Sequence, residues 1–199
     1  MYFSSMKWLL SAFGIIFLSY SGFGQSSFIK KINSGDIDAY HDMKKTSDGG
    51  WIATGQSYNN GPGIYDVGLT KFDSLFNIEW NAGYGDYDQD IGYSVIETTD
   101  SCYAVAGKTT TGKALLLKVN KTGSLLWSKE LTDIGLAQSV QQIGNTLFVM
   151  GFRSYSGDGV TAIFKYDLNG NLVWGKQYGN SGDYWKNVPQ QMITTYDDK

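Results

Sequence analysis

Three carboxylates at alternate positions, Asp86, Asp88 and Asp90, precede a glycine in the segment Asp86-Tyr-Asp-Gln-Asp-Ile-Gly92. Alternating acids before glycine are how a calcium loop begins, because Ca2+ gathers about six to eight oxygens around one turn. The next acid downstream, Glu97, falls in an expected strand. The same carboxylates also serve to cap a turn, so turn capping and calcium binding both stand for Asp86, Asp88 and Asp90. His41 is the sole histidine, and any Ser-His-Asp or Cys-His arrangement would have to use it. Gly179-Asn-Ser-Gly182 has the form of a nucleophilic serine turn, but related parts of the chain carry glycine-rich connectors in its place. Cys102, the one cysteine, reads as a small buried residue within a strand. No phosphate-cradling glycine loop and no His/Cys cluster occurs in the sequence, so no cofactor beyond possible calcium and no zinc is expected. The 16 basic and 19 acidic residues are scattered, with a net charge of −3, which gives no footprint for a nucleic-acid partner.

The elements that must position these groups emerge from a repeat. Lys71, Lys118 and Lys165 are 47 residues apart, and so are Trp80, Trp127 and Trp174. Between them stand Asp73, Asn120 and Asp167, in the segments Leu69–Trp80, Leu116–Trp127 and Ile163–Trp174. Upstream of each come an apolar segment with a glycine (Gly55, Gly107, Gly151) and, before that, another strand-like segment leading into a turn. Turns such as Asp48-Gly49 and Gly144-Asn145 favour hairpins, and no useful window has helical periodicity. The expected unit is therefore four antiparallel strands, repeated over 40–84, 91–131 and 136–178. Four strands per unit of this length, in tandem, are the signature of β-propeller blades. The first unit breaks the turn rule, since Phe76 stands where the others have Gly123 and Gly170; Asn77 is expected to take the left-handed conformation there. With 42% hydrophobic and 18% charged residues, the chain is a folded all-β domain and not a disordered one.

The segments Asn120-Lys-Thr-Gly-Ser-Leu-Leu-Trp127 and Asp167-Leu-Asn-Gly-Asn-Leu-Val-Trp174 resemble the tryptophan-docking motif of quinoprotein alcohol dehydrogenase-like propellers. With Ser47-Asp-Gly-Gly-Trp-Ile-Ala-Thr-Gly55 and Trp174-Gly-Lys-Gln-Tyr-Gly179, the unit is more closely similar to the repetitive propellers secreted by Bacteroidota, many of which continue into a type nine secretion sorting domain. The resemblance implies a structural role for the three tryptophans, wedged between blades. It carries no catalytic residue, because a quinone site is associated with adjacent cysteines and this chain has one cysteine. The lysines are expected to lay their stems over apolar neighbours with the ammonium in water.

Met1–Gly24 has Lys7, an apolar run of about a dozen residues and small residues near its end, the form of a cleavable signal peptide and too short for a span of about 20 residues. The expected protein is residues 25–199 of an exported or cell-surface molecule, with no integral membrane segment after cleavage. Counting strands gives 14, or about 3.5 blades, with a lone last-type strand at Phe28–Ile32 and a first-type strand at Asn187–Thr195; an incomplete ring with open sheet edges is expected to associate. The functional expectation is a non-catalytic binding or structural module with a protein or glycan ligand. The alternative is part of a secreted quinoprotein-like or polysaccharide-acting enzyme with its catalytic groups elsewhere.

Overall fold

The computed structural model describes residues 37–58, 61–86, 89–131, 133–155, 158–179 and 189–195. The proposed signal peptide, the strand expected at Phe28–Ile32, Asp88 and Asn180–Gly182 lie outside the described residues.

Among the described residues twelve strands form three four-stranded antiparallel sheets with one repeating order. The first holds β1 (Ile37–Lys45), β2 (Trp51–Tyr58), β3 (Tyr65–Phe72) and β4 (Ile78–Tyr84). The second holds β5 (Ile91–Glu97), β6 (Tyr103–Lys108), β7 (Ala114–Val119) and β8 (Leu125–Leu131). The third holds β9 (Leu136–Ile143), β10 (Thr146–Tyr155), β11 (Asp158–Asp167) and β12 (Leu172–Tyr178). These are propeller-like blades, and among the described residues they do not close into a ring.

The middle sheet explains why its strands are apolar without alternation. Side chains on successive residues point to opposite faces, and here both faces are covered. Tyr103, Val105, Leu115, Leu117 and Val119 pack against Ile52, Val67 and Leu69 of the first sheet. Ala104, Ala106, Ala114 and Leu116 pack against Val140, Leu147, Val149 and Phe164 of the third. Each large aliphatic side chain buried this way contributes about 1.5–3 kcal/mol. In contrast, β8 and β12 are largely exposed outer strands.

The recurring glycines of the second strands have a geometric cause. At the first-strand register shifts, a carbonyl oxygen closes on the neighbouring glycine: Ala39 on Gly55, Ile91 on Gly107 and Leu136 on Gly151, each of which a Cβ would strike. The turns between third and fourth strands are built by one side chain each. Asn120 Oδ1 accepts the Thr122 and Ser124 amides, Asp167 Oδ1 those of Asn169 and Asn171, and Asp73 Oδ1 those of Leu75 and Asn77. In the first unit the left-handed residue is Phe76 itself, at φ 60°, and not Asn77. Asp73 pins the amides on either side of position 76, so position 76 must reverse the chain, while Asn77 Nδ2 donates to Asp73 Oδ2. Stacking of Phe76 on Trp51, 5.4 Å between centroids, offsets the backbone strain.

The strand expected at Asn187–Thr195 is also corrected. Residues 189–195 join no ladder, because no second strand of a fourth unit lies beside them among the described residues. They are held instead by two bonds to β9, from Met192 N to Ser139 Oγ (3.2 Å) and from Gln141 Nε2 to the Met192 carbonyl (3.0 Å).

Candidate functional site

Each repeated lysine faces its tryptophan across the last strand pair: Lys71 opposite Trp80, Lys118 opposite Trp127 and Lys165 opposite Trp174. Trp80 Nε1 donates to the Lys121 carbonyl at 3.1 Å and Trp127 Nε1 to the Leu168 carbonyl at 3.2 Å, each reaching the turn of the following unit. The rings lie over Gly123 and Gly170, where a Cβ would come within about 3 Å of the indole. Trp174 instead meets Phe148 of its own sheet, with Lys176 above it.

Two of the lysines overturn the expectation of a solvated ammonium. Lys71 is 2% exposed, and its Nζ bridges Asp48 and Glu79, both at 2.9 Å, while donating to the Phe72 carbonyl. Lys118 is equally buried, pairs with Asp100 at 2.6 Å and donates to the Leu168 carbonyl. Asp48 and Asp100 come from equivalent first hairpin turns, so the lysine stem runs through the sheet edge to an acid waiting in the turn. The third unit has Gly144-Asn145 in that turn, and Lys165 sits over the Phe148 ring, 5.4 Å from its centroid. Burial pulls the Lys71 ammonium down, and Glu79 and Asp48 more than offset it, so its pKa stands above the lysine range. Asp48, bonded by Thr46 and Lys71, is pulled down to about 2.

Cys102 lies in the turn before β6 and not within the strand; burial raises its thiol pKa. Asp86 and Asp90 flank the β4–β5 connection, and Asp86 N donates to Asp90 Oδ2 at 3.1 Å. Glu97 is committed elsewhere, accepting both the amide and the hydroxyl of Ser47. Among the described residues no three His, Cys, Asp or Glu side chains converge as a metal-binding group.

Among the described residues a concave polar feature lies where the first strands of the sheets meet. A cup of about 360 Å³ is lined by His41, Asp42, Tyr93, Ser94, Gln138, Ser139, Gln190 and Gln191. These are two adjacent residues from each of four successive inner segments. The second of each of the first three pairs builds the wall: Asp42 Oδ2 accepts Val95 N (3.0 Å), Ser94 Oγ accepts Val140 N (3.3 Å) and Ser139 Oγ accepts Met192 N (3.2 Å). A side-chain acceptor thus ties every inner segment to the next. Asp42 also holds Lys44 at 2.7 Å. The first of each pair, His41, Tyr93, Gln138 and Gln190, is left at the cup surface, with the His41 and Tyr93 rings 5.2 Å apart. Ser94 and Ser139 are engaged with backbone amides, which leaves the cup as a binding surface of an imidazole, a phenol and carboxamides. Of these residues the sequence singled out His41 alone, as the sole histidine and not as part of a cup; for the others the recurring Ser-Val pairs at Ser94-Val95 and Ser139-Val140 were the available signal.

Comparison with solved structures places this architecture. The chain is similar to a protein described as a eukaryotic initiation factor, with a TM-score of 0.52 and 12% identity over 82% of this chain and 36% of that one. The fold is a multi-blade β repeat. The likeness concerns fold alone, and the chain spans about a third of the length of that neighbour. No protein-family model matches the sequence, and no curated protein matches it.

Proposed function

We propose that this chain is an exported, non-catalytic binding module that holds a neutral polar ligand of carbohydrate type in the cup of His41, Tyr93, Gln138 and Gln190. The observation that supports this reading is the convergence of one equivalent position from four inner segments on a single concavity. Carboxamides pair with hydroxyls as both donors and acceptors, and aromatic faces suit the C–H surface of a sugar ring. The apolar run and Lys7 of Met1–Gly24, and the resemblance to secreted Bacteroidota propellers of the quinoprotein-like group, support export; a type nine sorting route belongs to the same proposal.

A glycan array followed by calorimetry on the best binder tests the site. Tyr93→Ala and Gln138→Ala are each expected to weaken binding by about tenfold, the loss of roughly 1.4 kcal/mol of contact. Unaltered affinity in both variants would remove the cup as the site, and quinone-dependent turnover by the chain would replace a binding module with an enzyme.

A further inference from the structure

We propose that Asp66 and Asp90 form a binding site for one calcium ion. Asp66 lies near the start of β3 and Asp90 just before β5, 24 residues apart in sequence. Two backbone segments lace them together: Asp90 N donates to the Tyr65 carbonyl at 2.9 Å, and Gln89 bridges to Tyr65. Gln89 is fixed in turn by hydrogen bonds to Thr110 in both directions.

Both carboxylates are withdrawn from water, Asp66 at 0% and Asp90 at 2% exposure. Among the described residues neither is paired with a lysine, arginine or histidine. Among the described residues Asp66 accepts the Gly63 amide, at 3.2 and 3.3 Å, and Asp90 Oδ2 accepts Asp86 N, with the Thr110 amide also acting on the Asp90 carboxylate. Asp90 Oδ1 is buried with no hydrogen-bond partner, a cost that a folded protein rarely leaves uncompensated.

The two groups face one another. A single point, where Gly85 would carry a Cβ, lies within 2.5 Å of both Asp90 Oδ2 and Asp66 Oδ1. The two oxygens are therefore close enough to share one ion at calcium–oxygen distances of about 2.3–2.6 Å. Glycines clear the space on two sides, since a Cβ at Gly61 would strike Asp66 Oδ2 and one at Gly85 would strike both acids. An open cleft of about 180 Å³ runs past Gly85, Asp86, Asp90 and Thr109, giving an ion an entry path and water for the rest of its shell. The donors are all oxygen, which suits a hard cation and not zinc. Burial also raises the pKa of both carboxyls, with Asp86 adding repulsion to each.

Thermal unfolding of the full chain, stripped with chelator and then titrated with CaCl2, tests this, with calorimetry for stoichiometry. The expected result is one Ca2+ per chain and a midpoint rise of about 3–10 °C in 10 mM CaCl2, for a dissociation constant of about 10⁻⁴–10⁻³ M. MgCl2 is expected to give a smaller rise, because Mg2+ demands stricter geometry. Asp90→Asn and Asp66→Asn keep the side-chain shape, and each is expected to abolish the calcium response while far-UV circular dichroism stays unchanged. Equal midpoints with and without Ca2+ in the unmodified chain would overturn the proposal, as would an undiminished response in either variant. A chain indifferent to Ca2+ whose midpoint rises on acidification, with the rise lost in Asp90→Asn, would show that a proton and not a cation holds the pair.

Discussion

Trp127→Ala is expected to lower stability by about 3 kcal/mol, the low end of the range for aromatic truncation, because the indole is partly buried. Two terms are lost together. The ring covers Gly170 in the next unit and packs against the cluster that joins the second and third sheets, and its Nε1 closes the Leu168 carbonyl. Trp174→Ala removes the same residue type from the same position of the repeat, yet its ring meets only its own sheet and Lys176 among the contacts described. Its cost should stay under about 1 kcal/mol. Urea unfolding of both variants separates structural docking from mere hydrophobicity; equal costs would mean that contact with the next unit contributes nothing. Gly170→Ala is expected to phenocopy Trp127→Ala in direction, because it adds a Cβ at φ +79° about 3 Å from the indole.

Removing the exposed partners of Lys71 is expected to cost more than removing the buried lysine. Asp48 and Glu79 are 55% and 46% exposed, whereas Lys71 is 2% exposed. Lys71→Met leaves two carboxylates that water can solvate, and places a flexible apolar side chain in the sheet edge, so a loss under about 1.5 kcal/mol is expected. Asp48→Ala with Glu79→Ala strands a buried ammonium on the Phe72 carbonyl alone, with an expected loss of about 3 kcal/mol. Part of that loss is the turn, because Asp48 also holds Thr46 and Gly50. The pH dependence has a definite sign. The folded Asp48 pKa of about 2 is below its ordinary value of 3.8, so its contribution is fully present above about pH 4 and fades as pH falls through 2. Denaturant midpoints between pH 7 and pH 2 should show this acid limb in the unmodified chain and a shallower one in Lys71→Met.

The fold was legible because its most constrained pair is also its most conspicuous: lysine and tryptophan must sit opposite each other on the last two strands, and the sequence prints that register every 47 residues. What repeats is scaffold. The cup eluded the same search for the complementary reason, since the equivalent positions hold His41, Tyr93, Gln138 and Gln190, and a position that changes type leaves no periodic trace. Asp66 was invisible for another reason: it belongs to a strand far from Asp90 in sequence and reaches it only through the bridge between Tyr65 and Gln89. The burial of Lys71 and Lys118 was missed because lysine is ordinarily solvated, and Asp48 and Asp100, which pair with them, stand in a different hairpin, Glu79 alone coming from the strand beside Lys71.

Phe76 gives the first sheet a different boundary from the other two. In the second and third units a glycine forms a bare floor on which the tryptophan of the preceding unit rests; in the first, the residue at that place carries a ring. That ring stacks on Trp51, much as Trp80 meets Tyr103 one unit later, with centroids 6.0 Å apart. The first unit therefore supplies from within itself the aromatic plug that its successors borrow from a neighbour. The place that receives the preceding unit's tryptophan in the second and third units is thus already occupied in the first, by a ring of that unit's own. Phe76→Gly would empty that place while relieving the positive φ, and a lowered urea midpoint would show that the stack on Trp51 outweighs the backbone strain.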